Sequence, residues 1–351
     1  MHPSASRPHY LGSQIESGTY VRVGSTNRRA DAMLIGEMRR FVRGESFDES
    51  PLPDIDSEAL DFRAASESFA EFRKLHQNDL EILGLCTMHQ GRKVATVGGV
   101  LLYGRNRLAR FPDAWIQAGR FDGLDKARIA DQADLAMPLA DAIPASIAFV
   151  GRHTVLGTEI GPVRHRTRRA LPPLAVREAI VNAVTHADYS QRGAPIRIAV
   201  FDDRLEVENP GLLPFGLTLE DLPRGVSKLR NRVIGRVFHE LALVEHWGSG
   251  AQRMIAACRE AGVPPPVWEE IGNRLRVTMS MQPVGSPVVD AIDQAILDVL
   301  SDGDRKTREI ADAIGRSTRA TRTRLARLVD QGLVAVIGKG PQDPKRIYRK
   351  V

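Results

Sequence analysis

Glu178 and Asn182 stand four residues apart in the run LPPLAVREAIVNAVTHADYS, Leu171 to Ser190. On a helix that spacing brings both side chains to one face. A carboxylate beside an amide can hold a water and a hard cation together, the first as base, the second as neutral oxygen ligand. The same spacing also describes an ordinary solvated helix face, so the rest of the chain has to decide. Downstream, Glu245-His246-Trp247-Gly248-Ser249-Gly250 precedes an apolar helical run from Met254. Glycines at a helix start expose backbone N–H groups, and the helix dipole favours phosphate there. Between these two features lies Asn209-Pro210-Gly211.

The elements that must position these groups follow from periodicity. Pro172 and Pro173 suit the first positions of a helix, where a missing N–H costs nothing. Val176, Ala179, Ile180, Ala183 and Val184 form its apolar face, and Glu178, Asn182 and Thr185 point the other way. Ile196, Ile198 and Val200 alternate as a strand, Asp202-Asp203 turns the chain, and Leu205 and Val207 alternate again before Asn209. A last strand is expected at Leu275–Met281. Leu212–Val244, between the Asn-Pro-Gly and Gly-Ser-Gly motifs, is the natural mobile lid.

In this order the motifs REAIVNAVTHADYS, VENPGLLPFGLTLEDL, KLRNRVIGRVFHELALVEHWGSGAQRM and AGVPPPVWEE resemble the ATP-binding fold of gyrase B, histidine kinases and MutL mismatch-repair proteins, the GHKL or Bergerat fold. Most similar is the subgroup of RecG-like C-terminal ATPase domains found behind Schlafen-type AlbA domains. The resemblance implies an α+β chain with a GHKL-type α/β sandwich at 161–283, preceded by a mixed α/β segment at 51–160. It implies ATP and Mg²⁺ as ligands. Glu178 would activate the attacking water, and Asn182 would ligate the metal. Asn209 would face the adenine, Gly211 would let the backbone pass close to the base, and Gly248, Ser249 and Gly250 would cradle the phosphates. Lys228 and Arg230 are candidate phosphate contacts. Two positions depart from the pattern: Asn209 replaces the usual Asp, giving an acceptor without charge assistance, and Ala187 stands where the subgroup has Arg.

The 351 residues carry a formal net charge of +6, with 42% hydrophobic and 26% charged residues, as expected of two to three domains with true cores and a lean toward a polyanionic partner. Cys86 and Cys258 have no metal-ligand spacing. No apolar run is long enough to span a bilayer and no signal-peptide core begins the chain, so a cytoplasmic protein without membrane contact is expected. Residues 1–50 read as a disordered start followed by a remnant of an AlbA-type domain at Tyr20–Ala30, with a helix through Met38; Arg28 and Arg29 are solvated charges or DNA contacts. In 51–160 we expect a Ser57-capped helix to about Leu75, a helix near Asp79, an apolar strand at Val97–Tyr103, a short strand at Ala114–Ala118 and a helix over Asp134–Val150. Gly99–Asn106 mimics a phosphate loop without its Lys and Ser/Thr, which argues against a helicase motor. His153, His165 and His186 are isolated, and Thr167-Arg168-Arg169 adds positive charge ahead of the central helix.

After the linker QPVGSPVV the composition changes. Helices over Ala291–Leu300, from Thr307 to Gly315 and from Ser317 to about Gln331, then strands at Leu333–Ile337 and Arg346–Arg349, resemble a winged helix-turn-helix over 284–351. On the third helix Arg316, Arg319, Thr323 and Arg327 are expected on one face, opposite Leu325, Leu328 and Val329. With Ser317, Lys339, Lys345 and Arg346 they are the candidate contacts to double-stranded DNA. A homodimer is the usual way such a domain meets a palindromic site. Three functions follow: an ATP-binding transcriptional regulator whose nucleotide site switches the DNA contact; an ATPase that remodels DNA or a partner; or a DNA-binding module whose nucleotide site has decayed.

Overall fold

The computed structural model describes residues 8–23, 26–160, 165–244, 248–283, 289–338 and 346–351, and the chain divides into two compact units, Met1–Gln282 and Pro283–Val351. The first unit is built on a mixed six-stranded sheet. In chain order its strands are β1 (Ile116–Phe121), β2 (Ile129–Leu135), β3 (Ile196–Val200), β4 (Arg204–Pro210), β5 (Val267–Ile271) and β6 (Arg274–Ser280). They lie side by side as β5-β6-β4-β3-β1-β2. β3 and β1 pair in parallel, and every other neighbour is antiparallel.

The register places Ala118, Ile198, Val207 and Val277 in one row across the sheet, and all four are buried. Against that face pack α1 (Leu139–His153) and α2 (Pro173–His186), whose Ala179, Ile180 and Val184 belong to the same core. The alternate positions form the opposite face. There Arg276 grips Glu208 across the strands through Nε at 2.9 Å and Nη2 at 2.6 Å, so a half-buried guanidinium and a buried carboxylate cover the sheet as a cross-strand pair.

Two further helices complete this unit: α3 (Arg232–Glu240) and α4 (Gly250–Glu260). The N-terminus of α3 is capped from far away in sequence. Asp48, fully buried, accepts from the backbone N–H groups of Arg232 and Ile234, each at 2.9 Å, which satisfies donors that the helix itself cannot. Burial pushes the Asp48 carboxyl up to about 6. Next to it Asn231 donates to Thr185 O (2.9 Å) and Ala187 O (2.8 Å), closing the C-terminal end of α2. Before these elements come a hairpin, Tyr20–Val23 with Thr26–Arg29, and a helix, Ala32–Arg43, capped by Asp31 and ended by Gly44 in the left-handed region. Their core of Val21, Ala30, Leu34, Ile35 and Met38 packs against Leu212 and Phe215 at the start of the expected lid.

Several expectations change. Val97–Tyr103 is a helix, not a strand. Every residue in it is buried, so hydrophobicity runs all round and periodicity cannot separate the two states; Thr96 caps it by accepting from Gly99 N at 3.0 Å. The helix expected from Asp134 begins at Leu139, because Asp134 belongs to β2. The short strand expected at Ala114–Ala118 is β1, Ile116–Phe121. The helix expected from Ser57 is a 3₁₀ turn, Ser57–Ala59, and then a helix over Phe62–Phe69 capped by Asp61. The division expected at residue 160 does not divide the sheet, since β1 and its edge neighbour β2 come from before it and β1 pairs with β3 from after it. A short helix at Ile15–Gly18 lies in the stretch expected to be disordered; residues 1–7 are outside the described residues, as are the 284–288 part of the linker and the side chains of His165, Thr167 and Arg168.

The second unit consists of α5 (Ala291–Ser301), α6 (Thr307–Ala313), α7 (Thr318–Asp330), β7 (Val334–Ile337) and β8 (Ile347–Lys350), with β7 and β8 antiparallel. Ile296, Leu300, Ile310, Leu325, Leu328 and Tyr348 form its core. No helix among the described residues is long and apolar enough to cross a membrane.

Candidate functional site

In the first unit α2, α4, the sheet and the 212–244 segment enclose a cavity of about 610 Å³, within the range that holds a drug-sized ligand or cofactor. Glu178, Asn182, Asn209, Lys228, Gly248, Ser249 and Gly250 all line it. Gly211 and Arg230 do not. Gly211 has φ +99°, and a Cβ there would lie 2.9 Å from Asp188 Cβ and 3.2 Å from Arg230 Cζ, so the close approach it permits is to those side chains. Arg230 is buried and turned to Glu37 and to Leu212 O. Glu245, His246 and Trp247 are outside the described residues.

α2 brings its polar residues to this wall, beside Ala179 and Ala183, because Ala175, Val176, Ile180 and Val184 are buried on its other sides. Glu178 itself is 4% exposed. Its Oε1 accepts from Arg253 Nη2 at 3.0 Å and Arg177 Nη1 at 3.1 Å. The N-terminus of α4 faces the same pair. A Cβ on Gly250 would lie 2.8 Å from Glu178 Oε2 and 3.2 Å from Asn182 Nδ2. A side chain at residue 250 would force Glu178 or Asn182 to shift. Gly248 has φ +64° and a Cβ there would meet Ser227 Oγ at 2.3 Å, so the glycines also seat this loop against the 212–244 segment.

At the opposite end the wall is sheet. Asn209 on β4 shares its face with Val207, beside Leu275 and Val277 of β6, and Trp268 closes the row. Its Nδ2 donates to Pro210 O at 3.1 Å, which leaves Oδ1 as an acceptor for a ligand. Thr185, 1% exposed on the same cavity, has a hydroxyl oxygen with no hydrogen-bond partner among the described residues; such an orphan costs stability until something pairs with it. His186 is half-buried there, its imidazole pushed down to about 4 by desolvation, with the charge of Arg230 adding to the effect. Lys228 donates to Phe215 O at 3.1 Å, its ammonium 3.5 Å from the centre of the Phe41 ring. Arg232, Arg236 and Arg253 also line the cavity. Among the described residues no cluster of His, Cys, Asp and Glu has the make-up of a protein-only metal site. A hard cation here would need Asn182 and oxygens from a ligand.

Sequence reasoning overlooked Arg253 and Arg177, and it placed Thr185 on the polar face of α2 without giving it a role. Arg253 left a signal: a cation in the first turn of a helix opposes the dipole, so a carboxylate partner was to be sought.

In the second unit α7 presents Arg319, Arg322 and Thr323 to solvent, with Arg316 and Ser317 exposed just before it. Arg322 was not foreseen. Ser317 caps the helix, accepting from Ala320 N at 3.3 Å. Arg327 departs from expectation. It lies about 80° round the axis from Arg319 and is ion-paired with Asp293 and, at 3.5 Å, with Asp290. Arg324 joins the same two carboxylates. Arg327 therefore holds α7 to the start of α5. Arg346 lies over the Tyr348 ring, 5.3 Å from its centre. Lys339 and Lys345 are outside the described residues.

Residues 193–279 match the family model described as "Putative ATP-dependent DNA helicase recG C-terminal", and residues 289–335 match "Winged helix-turn-helix DNA-binding". No curated protein matches the chain. In fold the chain is similar to the crystal structure of the DIP2311 protein from Corynebacterium diphtheriae, at 18% identity and a TM-score of 0.54, over 95% of this chain and 75% of that one. A RecG-like C-terminal ATPase-type domain is thus joined here to a winged helix-turn-helix domain of the DNA-binding kind.

Proposed function

We propose that this chain is an ATP-binding transcriptional regulator: a GHKL-type nucleotide site in the first unit biases a winged-helix DNA contact made by the second. The observation that carries the proposal is the meeting of Glu178, Asn182 and the Gly-Ser-Gly start of α4 on one cavity wall, so close that a Cβ at residue 250 would lie 2.8 Å from Glu178 Oε2. A helix N-terminus supplies N–H groups and a favourable dipole for phosphates. Asn182 supplies a neutral oxygen for Mg²⁺, and Asn209 Oδ1 an acceptor for a base amino group. Thr185 supplies a hydroxyl in need of a partner. When bound, Mg²⁺–ATP contributes charge and a reactive phosphate; the protein contributes orientation and a buried carboxylate. Regulation requires that ATP prefer one conformation over another, and the 212–244 segment is the element placed to respond. The second unit meets DNA as a dimer through Arg316, Arg319, Arg322 and Thr323.

A second reading, ATP hydrolysis coupled to remodelling, is supported by Glu178, whose Oε2 lies beside the α4 N-terminus. Thermal melting separates these possibilities from an inert site. A ligand that binds only the folded state raises the melting temperature, so Mg²⁺–ATP should shift the wild type and not Asn182→Ala. No shift in the wild type would remove both nucleotide readings. Duplex binding that changes with ATP favours the switch; turnover stimulated by DNA and abolished in Glu178→Ala favours remodelling.

A further inference from the structure

Arg253 is the side chain that joins the two halves of the cavity wall. It stands in the first turn of α4, lines the cavity, and bonds Glu178 Oε1 at 3.0 Å. Arg177 bonds the same oxygen at 3.1 Å, but its other guanidinium nitrogen is committed to the carbonyls of Ala242 and Leu243 at 3.0 and 3.1 Å. Arg177 is thereby fixed to the chain behind the site. Arg253 is 26% exposed and faces the cavity. A guanidinium near a helix N-terminus is electrostatically unfavourable on its own, yet it is the group best shaped to bind a carboxylate or a phosphate through paired N–H donors.

We infer that Arg253 is a positioning residue that registers the terminal phosphate of a bound nucleoside triphosphate and reports it to Glu178. Without that phosphate, Arg253 holds Glu178 by Oε1. An anion at the start of α4 competes for the same guanidinium, and the contact transferred to it is lost by Glu178, whose carboxylate is then less restrained. A diphosphate, one anionic group shorter, leaves the Arg253–Glu178 contact in place. The inference rests on the nucleotide reading above and adds a residue that discriminates triphosphate from diphosphate.

The test is isothermal titration of the full chain with Mg²⁺–ADP and with a Mg²⁺-bound β,γ-imido analogue of ATP, for wild type, Arg253→Gln and Arg253→Lys. The wild type should prefer the triphosphate by about threefold or more, because the guanidinium exchanges a carboxylate it shares with Arg177 for a phosphate of its own. Arg253→Gln should bind ADP as the wild type does, within about threefold, and lose the preference; Arg253→Lys, retaining charge, should recover part of it. Equal weakening toward both nucleotides in Arg253→Gln would mark a merely structural residue and overturn the inference, as would an unchanged preference. If the wild type binds both nucleotides, either result leaves the nucleotide reading standing. If it binds neither, that reading falls and this one with it.

Discussion

Replacing Gly250 by alanine perturbs the site at its tightest point. The new Cβ would be 2.8 Å from Glu178 Oε2 and 3.2 Å from Asn182 Nδ2. A non-bonded carbon contact settles near 3.5 Å, so the carboxylate or the helix must retreat by about 0.7 Å. The carboxylate cannot yield freely, because Arg177 and Arg253 hold its other oxygen. Overpacking of this kind costs about 1–3 kcal/mol, partly offset by the roughly 0.5–1 kcal/mol that alanine gains over glycine in a helix. The fold should survive. The start of α4 and the Asn182 amide would no longer share one ligand, and Mg²⁺–nucleotide affinity should fall about tenfold to a hundredfold, or about 1.4–2.8 kcal/mol. Titration calorimetry reads this directly, with Gly36→Ala as control, since a Cβ there meets nothing closer than Arg40 Nη1 at 3.5 Å. An affinity in Gly250→Ala within about twofold of wild type would refute the assignment of this wall to the ligand, because such a change is under about 0.5 kcal/mol.

Other consequences can be checked separately. Glu37→Ala strands Arg230, whose side chain is 7% exposed, and should cost about 3–5 kcal/mol in urea unfolding of the first unit; a loss under about 1 kcal/mol contradicts the pairing. His186 has a folded-state pKa near 4, below its ordinary 6.5, so its contribution is whole above pH 6.5 and drains away as pH falls toward 4. Half-buried, it should account for roughly 1–2 kcal/mol of lost stability by pH 5, and His186→Gln should melt with a flatter pH dependence; an identical slope speaks against it. On α7, Arg319→Ala and Arg322→Ala should each weaken duplex binding and lower the salt slope by about one unit. Arg327→Ala should instead destabilise the second unit by about 1–3 kcal/mol, by taking a partner from the fully buried Asp293; fluorescence anisotropy and melting curves together distinguish the two effects.

Much of this architecture is legible in the sequence because it is local. The Pro-Pro start and apolar stripe of α2, the alternation in β3 and β4, and the Ser317 cap of α7 are each written within a few residues. What escapes is set by partners distant in the chain. Val97–Tyr103 is helical because it is surrounded by core, and uniform burial removes the period that would declare it. β2 was hidden because its side chains are largely exposed and its last residues include Asp134, which resembles the start of a helix. Glu178, Asn182 and the glycines could be found from spacing, but Arg230 could not be assigned to Glu37, nor Arg327 to Asp293, since nothing near either arginine names its partner. Arg322 is exposed beside Thr323 on α7, three residues on from Arg319, a spacing that also brings side chains to one side of a helix.

The cap on α3 has a consequence for how the protein is made. Asp48 and the N–H of Arg232 that it accepts are separated by 184 residues. At ordinary rates of synthesis the carboxylate is polymerised about 10–40 s before its partner. During that interval the 15–49 segment has its own small core and no lid to pack on. The hairpin and helix at the N-terminus must therefore wait as a marginal structure, and they settle only when the chain near residue 232 arrives. A synonymous or ribosomal pause placed between these points lengthens the exposure of Leu34, Ile35 and Met38, and aggregation of nascent chains should rise with it.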